Sequence, residues 1–135
     1  MPIFKWDDSF SVGIKEFDGH HKKLMDLINQ LHDAMAQGKG QVELEVILAE
    51  LVNYTHTHFA SEERAMVQYG LPRMAIHKAA HDALTKKVLD FQKQFKEGKL
   101  GLTIQVISFL KEWLTDHIMK EDKLYGAFFH EKGLV

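Results

Sequence analysis

Residues 77–95 read HKAAHDALTKKVLDFQKQF. His77, His81, Leu84, Val88, Phe91 and Phe95 recur at i, i+4, i+7, i+11, i+14 and i+18, the period of one helix face turned toward a core. Two histidines thus open a face that continues as hydrocarbon. Residues four apart on a helix are neighbours, about 5–6 Å apart at their Cβ atoms. His77 and His81 can therefore hold one metal ion without distorting the backbone. A helix is expected over about 73–96.

Upstream, Gly70-Leu71-Pro72 combines a C-cap glycine with a proline suited to opening the next helix. It closes a helix expected over about 41–69, whose inner face carries Leu44, Leu48, Leu51, Thr55, His58, Glu62 and Ala65. Before that, Asp18 reads as the N-cap of a first helix over about 18–37. Leu24, Leu27, Ile28, Leu31 and Met35 form its stripe, and Gly38-Lys39-Gly40 ends it. Residues 1–17 hold Phe4, Trp6, Phe10, Val12, Ile14 and Phe17 without sustained helical spacing, so an extended N-terminal arm is expected. Downstream of Gly98–Gly101, a fourth helix over about 102–128 carries Val106, Leu110, Trp113 and His117 inward. No strand pattern, repeat or interdomain linker competes. Four amphipathic helices with short connections imply an all-α, antiparallel up-down-up-down bundle, one domain over 1–135.

The totals narrow the function. A chain of 135 residues, 45% hydrophobic and 27% charged, suits one globular core. A net charge of −2 provides no basic field for nucleic acid or an anionic membrane. The absence of cysteine removes disulfides, iron–sulfur clusters and thiolate zinc sites. Neither a signal peptide nor an apolar run of about 20 residues is present, so a cytoplasmic protein is expected. A monomer is expected too, with the hydrophobic residues near the arm as the alternative, a self-association face. The unusual total is 9 histidines.

Four phrases share one donor chemistry: Asp18-x-x-His21, His58-x-x-x-Glu62, His77-x-x-x-His81 and His117-x-x-x-x-Asp122. In an up-down-up-down bundle the starts of helices one and three and the ends of helices two and four share one end. All four phrases therefore reach one level, which scattered core histidines have no reason to do. Five imidazoles and two carboxylates are too many for one zinc ion and too rich in nitrogen for calcium or magnesium. They suit two iron ions. If each iron takes six ligands, five terminal histidines, two bridging carboxylates and one bridging oxygen leave a single position open. Such a position suits one small ligand bound end-on. His117 and Asp122, five residues apart, would lie about 140° apart on a regular helix. A π-type turn is expected there, a feature that recurs at functional sites.

The ordered set resembles the hemerythrin family, and the chain as a whole resembles its single-domain bacterial members, the bacteriohemerythrins. Phe4-x-Trp6, Val12-Gly13, Asp18-x-x-His21, HxxxE, HxxxH and Trp113-Leu114-x-x-His117-Ile118 before Asp122 carry the likeness over nearly the full length. The resemblance implies that His77, His81 and His117 bind one iron and that His21 and His58 bind the other. Glu62 and Asp122 would bridge them beside an oxo or hydroxo group, and the open position would lie on the iron with two histidines. It also implies an apolar oxygen pocket of Leu24, Phe59, Trp113, Leu114 and Ile118. Dioxygen would bind reversibly there, the diferrous deoxy form becoming a diferric hydroperoxo form whose proton comes from the bridging hydroxide. His20, beside His21, stands where the family more often has Gln. Helical periodicity does not choose between the two histidines, and the family spacing from Asp18 selects His21. His32, His56 and His130 match no ligand position and are expected in surface or structural roles.

The function expected is oxygen storage, transport or delivery by a protein that is not an enzyme. The oxygen-accepting partner is unknown. The Glu-x-x-His pairs of carboxylate-rich di-iron enzymes are absent, which weighs against the first alternative, a di-iron oxidase or peroxidase. The second is a sensor of O₂, nitric oxide or iron acting through a separate partner.

Overall fold

The computed structural model describes residues 4–72, 74–97 and 104–134, and only the backbone of 104–106, 120 and 121. A short 3₁₀ turn, Asp8–Phe10, precedes α1 (Lys15–Ala36), α2 (Gln41–Tyr69) and α3 (Met74–Lys96). The last rod begins as α4 (Ile104–Asp116), passes through a π-helical turn (His117–Asp122) and ends as α5 (Lys123–Glu131). The architecture is a four-helix bundle. Among the described residues there is no strand, and no helix is long and apolar enough to cross a membrane.

The stripes read from the sequence face inward. Leu24, Leu27, Ile28 and Leu31 of α1 meet Leu44, Leu48 and Leu51 of α2, with Val88 and Phe95 of α3 and Leu110 of α4 in the same buried cluster. Leu84 and Phe91 are only partly buried, and Phe91 packs edge-on against Phe109 of α4. The side chain of Val106, expected on the inner stripe, lies outside the described residues, as do Arg73 and residues 102–103. At the end of α2, Gly70 adopts a left-handed conformation, φ 69°, while the N–H of Leu71 bonds back to the carbonyl of Met66. Glycine takes that conformation at no steric cost, which is why the helix stops there.

Two boundaries differ from expectation. Asp18 is not the N-cap: α1 starts at Lys15, with Ile14 as its cap residue, and the N–H of Asp18 already bonds to the carbonyl of Ile14. The cause is burial. Ile14, Phe17, His21, Leu24, Ile28 and Leu31 form one buried stripe at alternating spacings of three and four, so the apolar face extends upstream of Asp18. Residues 15–17 consequently belong to the helix and not to the arm, and the arm is itself broken by the 3₁₀ turn. The last rod, in turn, runs to Glu131 rather than 128, because Tyr125 and Phe129 continue the buried face.

The arm is pinned by backbone recognition. Asn29 of α1 clamps Phe4, its Oδ1 accepting from the Phe4 N–H (2.8 Å) and its Nδ2 donating to the Phe4 carbonyl (2.7 Å). Burying Phe4, Val12 and Ile14 adds roughly 1.5–3 kcal/mol for each large side chain.

Candidate metal centre

The four phrases converge. His21 comes from the second turn of α1, His58 and Glu62 from the latter half of α2, and His77 and His81 from the first turns of α3. His117 and Asp122 bound the π-helical turn. The wider turn is what brings Asp122 to the histidine-bearing face. All seven residues are buried, none more than 4% exposed.

Their donor atoms form two groups, each with all atoms within 4.8 Å of one another. One contains Glu62, His77, His81, His117 and Asp122, and the other His21, His58, Glu62 and Asp122. The two carboxylates belong to both. Asp122 turns Oδ1 toward Nε2 of His77 (3.0 Å) and of His117 (3.1 Å), and Oδ2 toward Nε2 of His21 (2.9 Å). Glu62 places Oε1 between Nε2 of His81 (3.1 Å) and Nε2 of His58 (3.4 Å), with Oε2 3.6 Å from His21. His81 and His117 bring their Nε2 atoms within 3.1 Å of each other.

The unsatisfied atoms test whether this is a metal site. His21 Nε2 and Asp122 Oδ2, 2.9 Å apart, and His58 Nε2 and Glu62 Oε1, 3.4 Å apart, are buried and crowd together without hydrogen-bond geometry. Buried polar atoms are nearly always satisfied, and among the described residues the ion-pair partners of Glu62 and Asp122 are all histidines, with no lysine or arginine to balance the carboxylates. A cation held among nitrogen and oxygen donors would satisfy all four atoms. The cluster fits a metal site.

In the metal-free cluster the carboxylates dominate the electrostatics. Burial opposes ionisation of His21, yet the neighbouring Asp122 and Glu62 carboxylates outweigh it and raise its pKa to about 9. His117 is raised against burial in the same manner by Asp122. His58 behaves oppositely: burial prevails over the attraction of Glu62 and pushes it down to about 3. Burial and mutual repulsion would raise Glu62, but the surrounding histidines hold it below the usual carboxylate range. Asp122 is likewise held low against burial, by His117, His21 and His77.

Of the expected oxygen-pocket residues, Leu24, Leu114 and Ile118 are wholly buried, and Phe59 and Trp113 nearly so. Phe59 touches the cluster directly, stacked on His81 and tilted against His117, with Trp113 beyond it. The indole N–H of Trp113 is buried without a partner. His56 and His130 are exposed and His32 partly so, and none joins the cluster.

Three neighbours of the cluster lie outside the expected ligand set, and of these only His20 stood out in the sequence. Tyr125 is wholly buried, donates its hydroxyl to Glu62 Oε2 and stacks against His77. Burial and the two carboxylates raise its pKa well above the usual phenol value, so it remains a donor. Its position three residues after Asp122 put it on the same helical face, a signal that was available. Glu63 lies behind His81, its Oε2 3.5 Å from His81 Nδ1, and pairs with Lys78. His20 places Nδ1 2.8 Å from Nδ1 of His58, and burial lowers its pKa.

The family model described as the Hemerythrin HHE cation binding domain matches residues 12–129. The chain is 37% identical over 127 residues to a bacteriohemerythrin of Methylococcus capsulatus, covering 93% of this chain and 96% of the other. It is 34% identical over 125 residues to a bacteriohemerythrin of Pseudomonas aeruginosa, covering 93% and 80%. A crystal structure of wild-type hemerythrin superimposes with a TM-score of 0.88 at 36% identity, over 93% of this chain and 96% of that one. With the bundle, the buried histidine–carboxylate cluster and the matched span all agreeing, the chain belongs to the hemerythrin family.

Proposed function

We propose that this protein binds dioxygen reversibly at a non-haem di-iron centre, for oxygen storage, transport or delivery. The observation that carries the reading is the division of donors into two groups that share Glu62 and Asp122. His77, His81 and His117 would hold one iron and His21 with His58 the other. The two carboxylates and an oxo or hydroxo group would bridge. With three imidazoles on one side and two on the other, the position left for a small ligand would lie on the His21–His58 side. Bound there, two ferrous ions supply the electron pair that reversible dioxygen binding needs.

The chain's own residues do the rest. Leu24, Phe59, Trp113, Leu114 and Ile118 wall the site with buried apolar surface and exclude water, which slows irreversible oxidation. Tyr125 holds Glu62 through its hydroxyl, restraining the carboxylate that both groups use.

An optical cycle tests the reading. Protein loaded with ferrous iron under nitrogen should develop a visible charge-transfer band when air is admitted and lose it on deoxygenation, over repeated cycles. Rapid, permanent conversion to a diferric spectrum would overturn oxygen carriage and point to an oxidase or peroxidase. His77→Leu should lose iron. Full iron retention by that variant would remove His77 from the ligand set.

A further inference from the structure

His20 faces away from the donor cluster, yet it touches one of the cluster's histidines. Its Nδ1 lies 2.8 Å from Nδ1 of His58, with the two rings nearly perpendicular at 87° and 4.9 Å between centroids. The opposite nitrogen of His58, Nε2, is the one that faces Glu62 and lacks a hydrogen-bond partner. A neutral imidazole carries one proton. If Nε2 of His58 is free to ligate, the proton is on Nδ1, and the only role left to His20 Nδ1 is acceptor. The proton of His20 then sits on Nε2, which points toward the Glu16 carboxylate 4.0 Å away. Tyr54 and Phe17 border the His20 ring, at centroid distances of 6.0 and 5.8 Å, and limit its rotation.

We propose that His20 is a positioning residue for the metal centre, accepting the Nδ1–H of His58 and thereby fixing Nε2 of His58 as the ligating atom. The inference rests on the reading that the cluster holds two metal ions. Partners behind a ligating imidazole set its tautomer and orientation, and losing one costs about 10–100-fold in metal affinity. The effect is selective. Nδ1 of His21, the other imidazole of the same group, is buried without any partner. The side with two histidines therefore depends on His20 for its one anchored ring, whereas among the described residues the contacts of His20 reach Glu16, Phe17, Tyr54 and His58 but not His77, His81 or His117.

Stepwise titration of the metal-free protein with cobalt(II), followed by visible absorption, separates the two positions. The wild type should take up two equivalents. His20→Leu removes the acceptor and should weaken the second equivalent about 10–100-fold while leaving the first unchanged. His20→Gln keeps a side-chain acceptor and should restore the second equivalent. Should Leu prevent folding, His20→Ala carries the same comparison. Two equivalents bound by the Leu variant with wild-type affinity would overturn the role of His20 and leave the two-metal reading standing. Equal weakening of both equivalents, or no rescue by Gln, would reduce His20 to packing and overturn it as well. A wild type that binds fewer than two equivalents would sink the two-metal reading and this inference together.

Discussion

The ring of Phe59 lies flat on that of His81, with 3.9 Å between centroids and 4° between planes. Both rings also line an outer groove of about 990 Å³ between α2 and α3, together with Met74, Val67 and Leu89. Phe59 thus stands at the boundary between solvent and the donor cluster. Phe59→Ala should cost about 3–5 kcal/mol of stability, as large-to-small core changes do, and should open His81 to the groove. Release of bound metal to a chelator should accelerate in parallel. A destabilised variant with an unchanged release rate would show that the ring packs without shielding.

Asp18 fastens the arm rather than starting the helix. Its Oδ1 accepts the Val12 N–H at 2.8 Å and its Oδ2 accepts the Ser11 hydroxyl at 2.6 Å. Hydrogen bonds to a charged acceptor contribute about 1.5–3 kcal/mol. Asp18→Ala should lose about that much and free the arm, leaving α1 helical because its first turn is anchored by buried Ile14 and Phe17. Limited proteolysis should cut within residues 4–13 much faster, with circular dichroism unchanged under native conditions. A drop in helicity with no new cleavage would restore the capping role.

Gly126 is where the arm meets α5. A Cβ there would sit 2.2 Å from the carbonyl oxygen of Val12 and 3.1 Å from its carbonyl carbon, and backbone atoms cannot give way as a flexible side chain can. Gly126→Ala should destabilise by roughly 1–3 kcal/mol through overpacking. Gly19, in α1 with nothing within 4 Å of its added Cβ, is the matched control. Gly19→Ala should stabilise by about 0.5–1 kcal/mol through helix propensity. Thermal midpoints that move in the same direction for both would contradict this packing.

Metal-free protein should be most stable near pH 6.5. With its pKa raised to about 9, His21 binds more protons folded than unfolded between pH 6.5 and 9. Stability present below 6.5 is therefore lost as pH rises through that window, and His117 acts in the same direction. His58, pushed down to about 3, binds fewer protons folded than unfolded, so stability falls as pH drops from 6.5 toward 3. Each limb has a slope of roughly 1.4 kcal/mol per pH unit for a fully titrating group. The depressed carboxylates Glu62 and Asp122 deepen the acid limb. Metal loading should flatten the alkaline limb, because ligating imidazoles are already neutral. Urea midpoints at pH 5, 6.5 and 8.5, with and without metal, measure both limbs. Identical midpoints at 6.5 and 8.5 in the metal-free protein would refute the His21 contribution.

What the sequence determined by itself is what periodicity along one helix can carry. The 3.6-residue stripe of 77–95, the punctuation at Gly70-Leu71-Pro72 and the antiparallel order of four helices all followed from spacing. So did the convergence of four donor phrases at one level. The five-residue interval between His117 and Asp122 asked for a π-helical turn, and the backbone has one there. Spacing was a poorer guide to the start of α1, because Asp18 satisfies the pattern of a cap whether its carboxylate turns to the helix or to the arm. Only the tertiary structure decided that it turns to Ser11 and Val12. Spacing could not choose between His20 and His21 either, since both flank the same stripe. Packing of α1 on α2 sends His21 to the carboxylates and His20 to the back of His58. The hydroxyl of Tyr125 meets Glu62 across 63 residues of chain, and which oxygen of Asp122 faces His21 or His77 depends on two other helices. Such pairings are set by the rotation and depth of whole helices against one another, and no local pattern of residues encodes them.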